Sequence, residues 1–159
     1  MKGTDAGSAA LITVLLLPML LVTLVASLEL GALRVVASRA RAAADLATVI
    51  AIGDQDDEAL RTTGRYRPAS DAEGVARSYL AANLEGIQGS LGAATADIAV
   101  AADVAVFPDA GMLDPRSGQR YEAPAVRIAA DVPIRTPAFG ALLLPTVTVV
   151  RVLAASAAR

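Results

Sequence analysis

Cysteine and histidine are both missing from the 159 residues, and aromatic residues make up only 3% of them. Without cysteine there is no disulfide framework and no thiolate metal site. Without histidine the commonest general base and the commonest metal ligand are gone. Most hydrolase, metalloenzyme and cysteine-protease chemistries fall with these two absences. The chain reads as non-enzymatic, with neither cofactor nor metal. Scarce aromatics argue against a typical ligand pocket, whose lining favours them. An excess of positive charge is lacking too. The formal net charge is −2 and no basic stripe is interleaved with aromatics, so nucleic acid is not an expected partner.

What is present is aliphatic. Hydrophobic residues reach 55%, mostly Ala, Val and Leu, which pack helices closely and build slim sheets. The length suits one modest domain plus an anchor. From Ala9 to Leu28 there is no charged residue. This run of about 20 residues matches a bilayer core, and Ser8 is placed to cap its start. A retained membrane helix competes with a cleavable secretory signal cut near Val25-Ala26-Ser27, and with a buried helix of a soluble protein. The retained helix is preferred. The run is apolar all round, and Met1-Lys2-Gly3-Thr4-Asp5 offsets its one lysine with an aspartate.

Helical periodicity continues past Leu28. Val36, Ala40, Ala43, Ala47 and Ile50 form one apolar stripe at spacings of four and three, with Arg34, Ser38, Arg41 and Asp45 on the far side. Gly31 is a weak point that a helix tolerates, and Pro18 should kink or loosen the apolar half. One helix is therefore expected from Ser8 to Ile52, roughly 65 Å long at 1.5 Å per residue. Residues 1–52 are expected to form the membrane helix with its amphipathic outer half, and residues 53–159 a small α+β domain. Leu16 and Pro18 join the five stripe residues as candidate helix-packing positions. Glu29, Arg34, Arg39 and Arg41 read as a solvated face just beyond the membrane. Their three arginines, against Lys2 before the span, favour the opposite orientation by the positive-inside rule.

Residues 53–70 read as a polar connection. Its carboxylates Asp54, Asp56, Asp57 and Glu58 lack the glycine and spaced glutamate of a calcium loop. Ser70-Asp71-Ala72-Glu73 predicts a capping box opening a second helix. Val75, Tyr79 and Ala82 form its stripe, Leu80 and Leu84 lie beside it, and Gly86 and Gly89 end it. Beyond Thr95 the period becomes two. Ile98, Val100, Val104 and Val106 predict one strand; Val126, Ile128, Val132 and Ile134 predict another, with Arg127, Asp131 and Arg135 opposite. Asp97 and Asp103 read as a solvent-facing strand stripe, not a catalytic pair. Pro108–Gln119 reads as a loop whose Asp109, Asp114 and Arg116 are turn residues. Pro133 suggests an edge or a bulge. A third strand over Thr146–Ala155, apolar on both faces, is expected to be central or covered. The fold class is α+β: a long N-terminal helix packed on a small antiparallel sheet, with one additional helix.

Asp5-Ala6-Gly7-Ser8-Ala9-Ala10, the leucine run broken by Pro18, Glu29-Leu30-Gly31-Ala32-Leu33, and Arg41-Ala42-Ala43-Ala44-Asp45-Leu46-Ala47 together resemble TadE/TadG-like proteins. These are pilin-like components of tight-adherence pili. The resemblance covers about the first 50 residues. It implies a single-pass protein of the bacterial inner membrane with its domain outside the cytoplasm, or in an extracellular filament. Its partners would be lipid, copies of itself or other pilin-like subunits, and a pilus assembly platform. Processing by a prepilin peptidase would fall between Gly7 and Ser8. The fifth residue would then be Ile12, where type IV pilins carry glutamate. The alternative is a membrane-tethered adhesion or binding module outside any filament.

Overall fold

The structure is a computed structural model that describes the backbone of residues 4–158 and the side chains of residues 13–158. The first element, α1 (Thr4–Gly53), is a single helix. It runs through Pro18 and Gly31 without interruption and is already helical ahead of Ser8, so Ser8 is not its cap. Beyond Pro18 nothing in the sequence removes a backbone donor, and a lone glycine costs only about 1 kcal/mol against many propagating turns.

The expected connection over 53–70 contains a helix, α2 (Asp57–Thr63). Asp56 caps it by accepting from the backbone N–H groups of Glu58 and Ala59, both at 3.0 Å. Asp57 and Glu58 sit in the first turn, where the helix dipole favours carboxylates. The second expected helix is α3 (Ala72–Leu84), continued by a 3₁₀ turn over Glu85–Ser90. Its capping box does not form: Asp71 is the cap residue and makes no side-chain capping bond, while Glu73 pairs with Arg77 at 2.8 Å. The buried face is Ala72, Ala76, Leu80 and Leu84. Tyr79 and Ala82 are exposed and Val75 is half-buried, which corrects the expected stripe. The fold thus has several helices beyond α1 rather than one.

Residues 95–101 also correct the expectation. Thr95–Ala101 is a helix, α4, not the start of a strand. Thr95, Ile98, Ala99 and Ala102 are buried at helical spacing and Val100 points to solvent. Ile98 and Val100 mimic period two only when Ala99 between them is ignored.

Three antiparallel strands follow: β1 (Asp103–Phe107), β2 (Ala125–Arg135) and β3 (Val147–Ala157), in the order β1-β2-β3. A four-residue helix, α5 (Pro137–Gly140), lies between β2 and β3. Pro133 sits in the central strand, yet the proline rule survives. β1 pairs only with Ala125–Ala129, so Pro133 lies where β2 has lost that neighbour. Its carbonyl accepts from Gly92 at 2.8 Å, on the side away from β3. Its missing N–H therefore costs the β2–β3 ladder nothing.

β3 is an edge strand covered on one face. Its even positions turn inward, with Val152 and Ala154 buried, while Val147, Val149 and Leu153 are exposed. Of the two expectations, covered by the helix or central, the strand meets the first on one face and not the second. The main core lies between the outer half of α1, α3 and α4 on one side and the even face of the sheet on the other. Leu80, Leu84, Ile128, Val132 and Ile134 fill it. On the opposite face, Phe107 and Tyr121 stack at 4.9 Å over Ala125. Arg127, expected in solvent, is buried there too.

Candidate functional site

Among the described residues α1 is long and apolar enough to cross a membrane. From Thr13 to Leu24 every side chain is exposed, Leu16 and Pro18 included. Two hydroxyls in this half are satisfied within the helix. Thr23 donates its hydroxyl to the Met19 carbonyl at 2.8 Å, and Ser27 donates to the Thr23 carbonyl at 2.7 Å. Such back-bonding lets hydroxyls enter hydrocarbon without an orphaned donor. The processing positions Gly7 and Ser8 lie outside the residues whose side chains are described.

The outer half of α1 has two apolar faces. The first is the predicted stripe. Ala40, Ala43 and Ala47 are buried, Val36 and Ile50 half-buried. The three alanines and Val36 pack in or against the chain's own core, where Ala44, Thr48, Ala51 and Ile52, which the sequence reading missed, are buried too. Alanine there lets the helix lie close to α3 and the sheet. The Thr48 and Ser156 hydroxyls are 2.9 Å apart and tie α1 to β3. Near the other end of this contact, Leu33 and Val36 lie beside Val147. α1 and β3 therefore run side by side in the same direction.

The second face was not anticipated. Leu21, Leu28, Val35, Ala42 and Val49 recur every seventh residue, joined by Leu46, and all are exposed. At 100° per residue Val35, Ala42 and Val49 lie on the side of α1 away from the buried alanines, while Leu46, Leu28 and Leu21 stand roughly a quarter to a third of a turn from them. This seam starts in the uncharged run and continues along the outer half. A shallow groove lined by Arg39, Ala42, Ala43, Leu46, Asn83 and Ile87 flanks it.

No family model, curated protein or solved structure matches the chain.

One polar cluster invites a chemical reading. Asp114, fully buried, lies 3.0 Å from the Arg127 Nε, and Arg127 is 3% exposed. The Nε meets the carboxylate as an ion pair but at an angle too bent for a hydrogen bond. Asp114 also accepts from the Ser117 hydroxyl at 2.7 Å and from the Arg116 N–H at 3.0 Å. Burial works to raise the Asp114 carboxyl. The Ser117 and Arg116 bonds and the Arg127 charge outweigh it and hold the group below the ordinary carboxylate range. Asp103 completes the set, 3.2 Å from Arg127 and paired with Arg116. A carboxylate so neutralised and enclosed cannot act as a base toward a substrate. The cluster instead fastens the 108–124 loop to the sheet. Asp114 and Arg116, expected as plain turn residues, are thus anchors of that loop. Among the described residues no group of three or more metal-capable side chains gathers.

Proposed function

We propose that this chain is a structural subunit or assembly component of a type IV/Tad-like pilus, similar to TadE/TadG proteins, acting by helix–helix packing rather than catalysis. In this reading α1 stores the subunit in the bacterial inner membrane, with residues 53–159 outside the cytoplasm. On assembly the same helix leaves lipid and packs against copies or other pilin-like subunits at an assembly platform. Lipid and protein interiors are similarly apolar, so the transfer costs little and close packing is gained.

The observation that carries the reading is the seam. The chain's own domain uses one face of α1 and leaves a second apolar face, in line with the membrane run, uncovered. Heptad spacing suits a partner helix. Val35 and Val49 are each 54% exposed and Leu46 is 48% exposed. Full burial of such a side chain is worth about 1.5–3 kcal/mol, so covering the open half contributes roughly 1 kcal/mol each.

The test uses cells that produce the full chain with Val49→Cys, in a background that contains no other cysteine. The expected result is disulfide-linked dimers and recovery of the protein in sheared extracellular filaments. Leu46→Glu should abolish both while the domain stays folded. A chain that remains in the membrane fraction, uncrosslinked and indifferent to Leu46→Glu, overturns the proposal.

A further inference from the structure

Between Arg135 and Arg151 there is no charged residue, and the middle of this stretch, Pro137-Ala-Phe-Gly-Ala-Leu-Leu-Leu-Pro145, is apolar throughout. It is a closed finger, not a loose loop. At its base the Thr136 N–H donates to the Thr146 carbonyl at 2.7 Å and the Thr136 hydroxyl to the Pro145 carbonyl at 3.1 Å. Gly140 permits the closure, since a Cβ there would stand 2.9 Å from the Thr146 methyl. The N–H groups of Phe139, Ala141, Leu142, Leu143 and Leu144 all donate to carbonyls within the segment. The two prolines have none to satisfy.

At the tip, Leu143 is 97% exposed and has φ of 59°. Among the described residues it is the only non-glycine in the left-handed region. In water a glycine or asparagine would be cheaper there on backbone grounds, and an exposed leucine gains nothing. Strain and exposure coincide on one apolar side chain.

The finger's place in the fold says what meets it. Pro137, Thr146 and Val147 share a groove with Glu29, Ala32 and Leu33 of α1, and α5 packs on α1. The finger projects from the strand ends toward the N-terminal half of the helix. Glu29, which lines that groove beside Pro137 and Thr146, is the first charged residue after the uncharged run that ends at Leu28. The finger and the end of the apolar run thus stand at one level.

We infer that the Pro137–Pro145 finger inserts Leu143 and its neighbours into the headgroup–acyl boundary of the same bilayer that α1 enters. This is a second, interfacial membrane contact that sets the domain's tilt against the lipid. Five of its seven N–H groups are bonded within the segment, which lowers the cost of entering a water-poor layer. The exposed Arg135 at the base lies where lipid phosphates would be. The inference rests on the reading of α1 as a membrane helix.

The experiment places single cysteines at Leu143, Leu20 and Leu113 in the full chain, labelled with an environment-sensitive fluorophore. Leu113 is a second exposed leucine, in the loop between β1 and β2 at the opposite end of the strands. The protein is reconstituted in phosphatidylethanolamine/phosphatidylglycerol vesicles. Quenching is compared between lipid carrying a quencher high on its acyl chain and aqueous iodide. The labels at Leu20 and Leu143 should be quenched several-fold more by the lipid than the label at Leu113, and protected from iodide. If Leu143 behaves like Leu113 while Leu20 reports lipid, the finger inference falls and the anchor stands. A Leu143 label shielded from both quenchers marks a protein neighbour and also overturns it. Iodide reaching Leu20 removes the anchor itself.

Discussion

Replacing Asp114 with alanine tests whether the 108–124 loop is held by a buried ion pair. The substitution removes the acceptor of the Ser117 hydroxyl and the Arg116 N–H, and the enclosed counter-charge of Arg127. Breaking a buried pair from one side typically costs about 3–5 kcal/mol, because a desolvated charge is left behind. Here the low end applies. Arg127 keeps Asp103 at 3.2 Å, and that carboxylate is half exposed, so the guanidinium is not wholly stranded. A loss of about 3 kcal/mol lowers the melting midpoint of a domain this size by roughly 10–20 °C. Calorimetry on the detergent-solubilised full chain measures it. Asp131→Ala, which breaks the exposed pair with Arg151, is the control and should leave the midpoint almost unmoved. The paired replacement Asp114→Leu with Arg127→Met should recover most of the loss, since no charge is then left buried. If Asp114→Ala melts with the control, the loop is held by something other than this pair.

Three further outcomes follow. The folded Asp114 carboxyl lies below its ordinary value of 3.8, so its contribution is present above that pH and disappears as pH falls through the folded value. Acid titration of the melting midpoint should show this loss in the natural chain and not in Asp114→Ala. Ala47→Leu forces a larger side chain into the fully buried contact between α1 and the core. It should cost about 1–3 kcal/mol in denaturant unfolding, whereas Ala42→Leu on the exposed face should cost almost nothing. At Gly31 a Cβ meets nothing within 4 Å, so Gly31→Ala should stabilise α1 by about 0.5–1 kcal/mol, read as slower amide exchange around that turn.

The long helix was legible because length and the absence of breakers decide it locally. Its continuity across Gly31 needed no partner. The sheet was legible in part: β2 and β3 announce themselves by β-branched residues, but their order does not. Pro133 pointed to an edge, and the answer depended on where β1 stops, which no residue near Pro133 records. Ile98 and Val100 were misread because alanine counts as neutral in a pattern, while Ala99 and Ala102 are what the core selects. Arg127 looked like a solvent position because its partner Asp114 lies thirteen residues away and arrives only when the loop folds back. On α1 the stripe of Ala40, Ala43 and Ala47 was visible, but not which surface it serves. Small residues fit a neighbouring subunit and the chain's own sheet equally well, and the seam on the other face shows only after the domain has taken its share.

The open side of β3 has a geometric consequence. A second β3 laid against it in the usual antiparallel manner would be related by a two-fold axis through the sheet. Because α1 keeps the heading of β3, the two oily rods would then leave the pair in opposite directions. One bilayer cannot receive both. Wherever the rod is held in lipid, membrane attachment itself polices this strand, forbidding the sticky symmetric dimer that charge or proline would otherwise have to prevent.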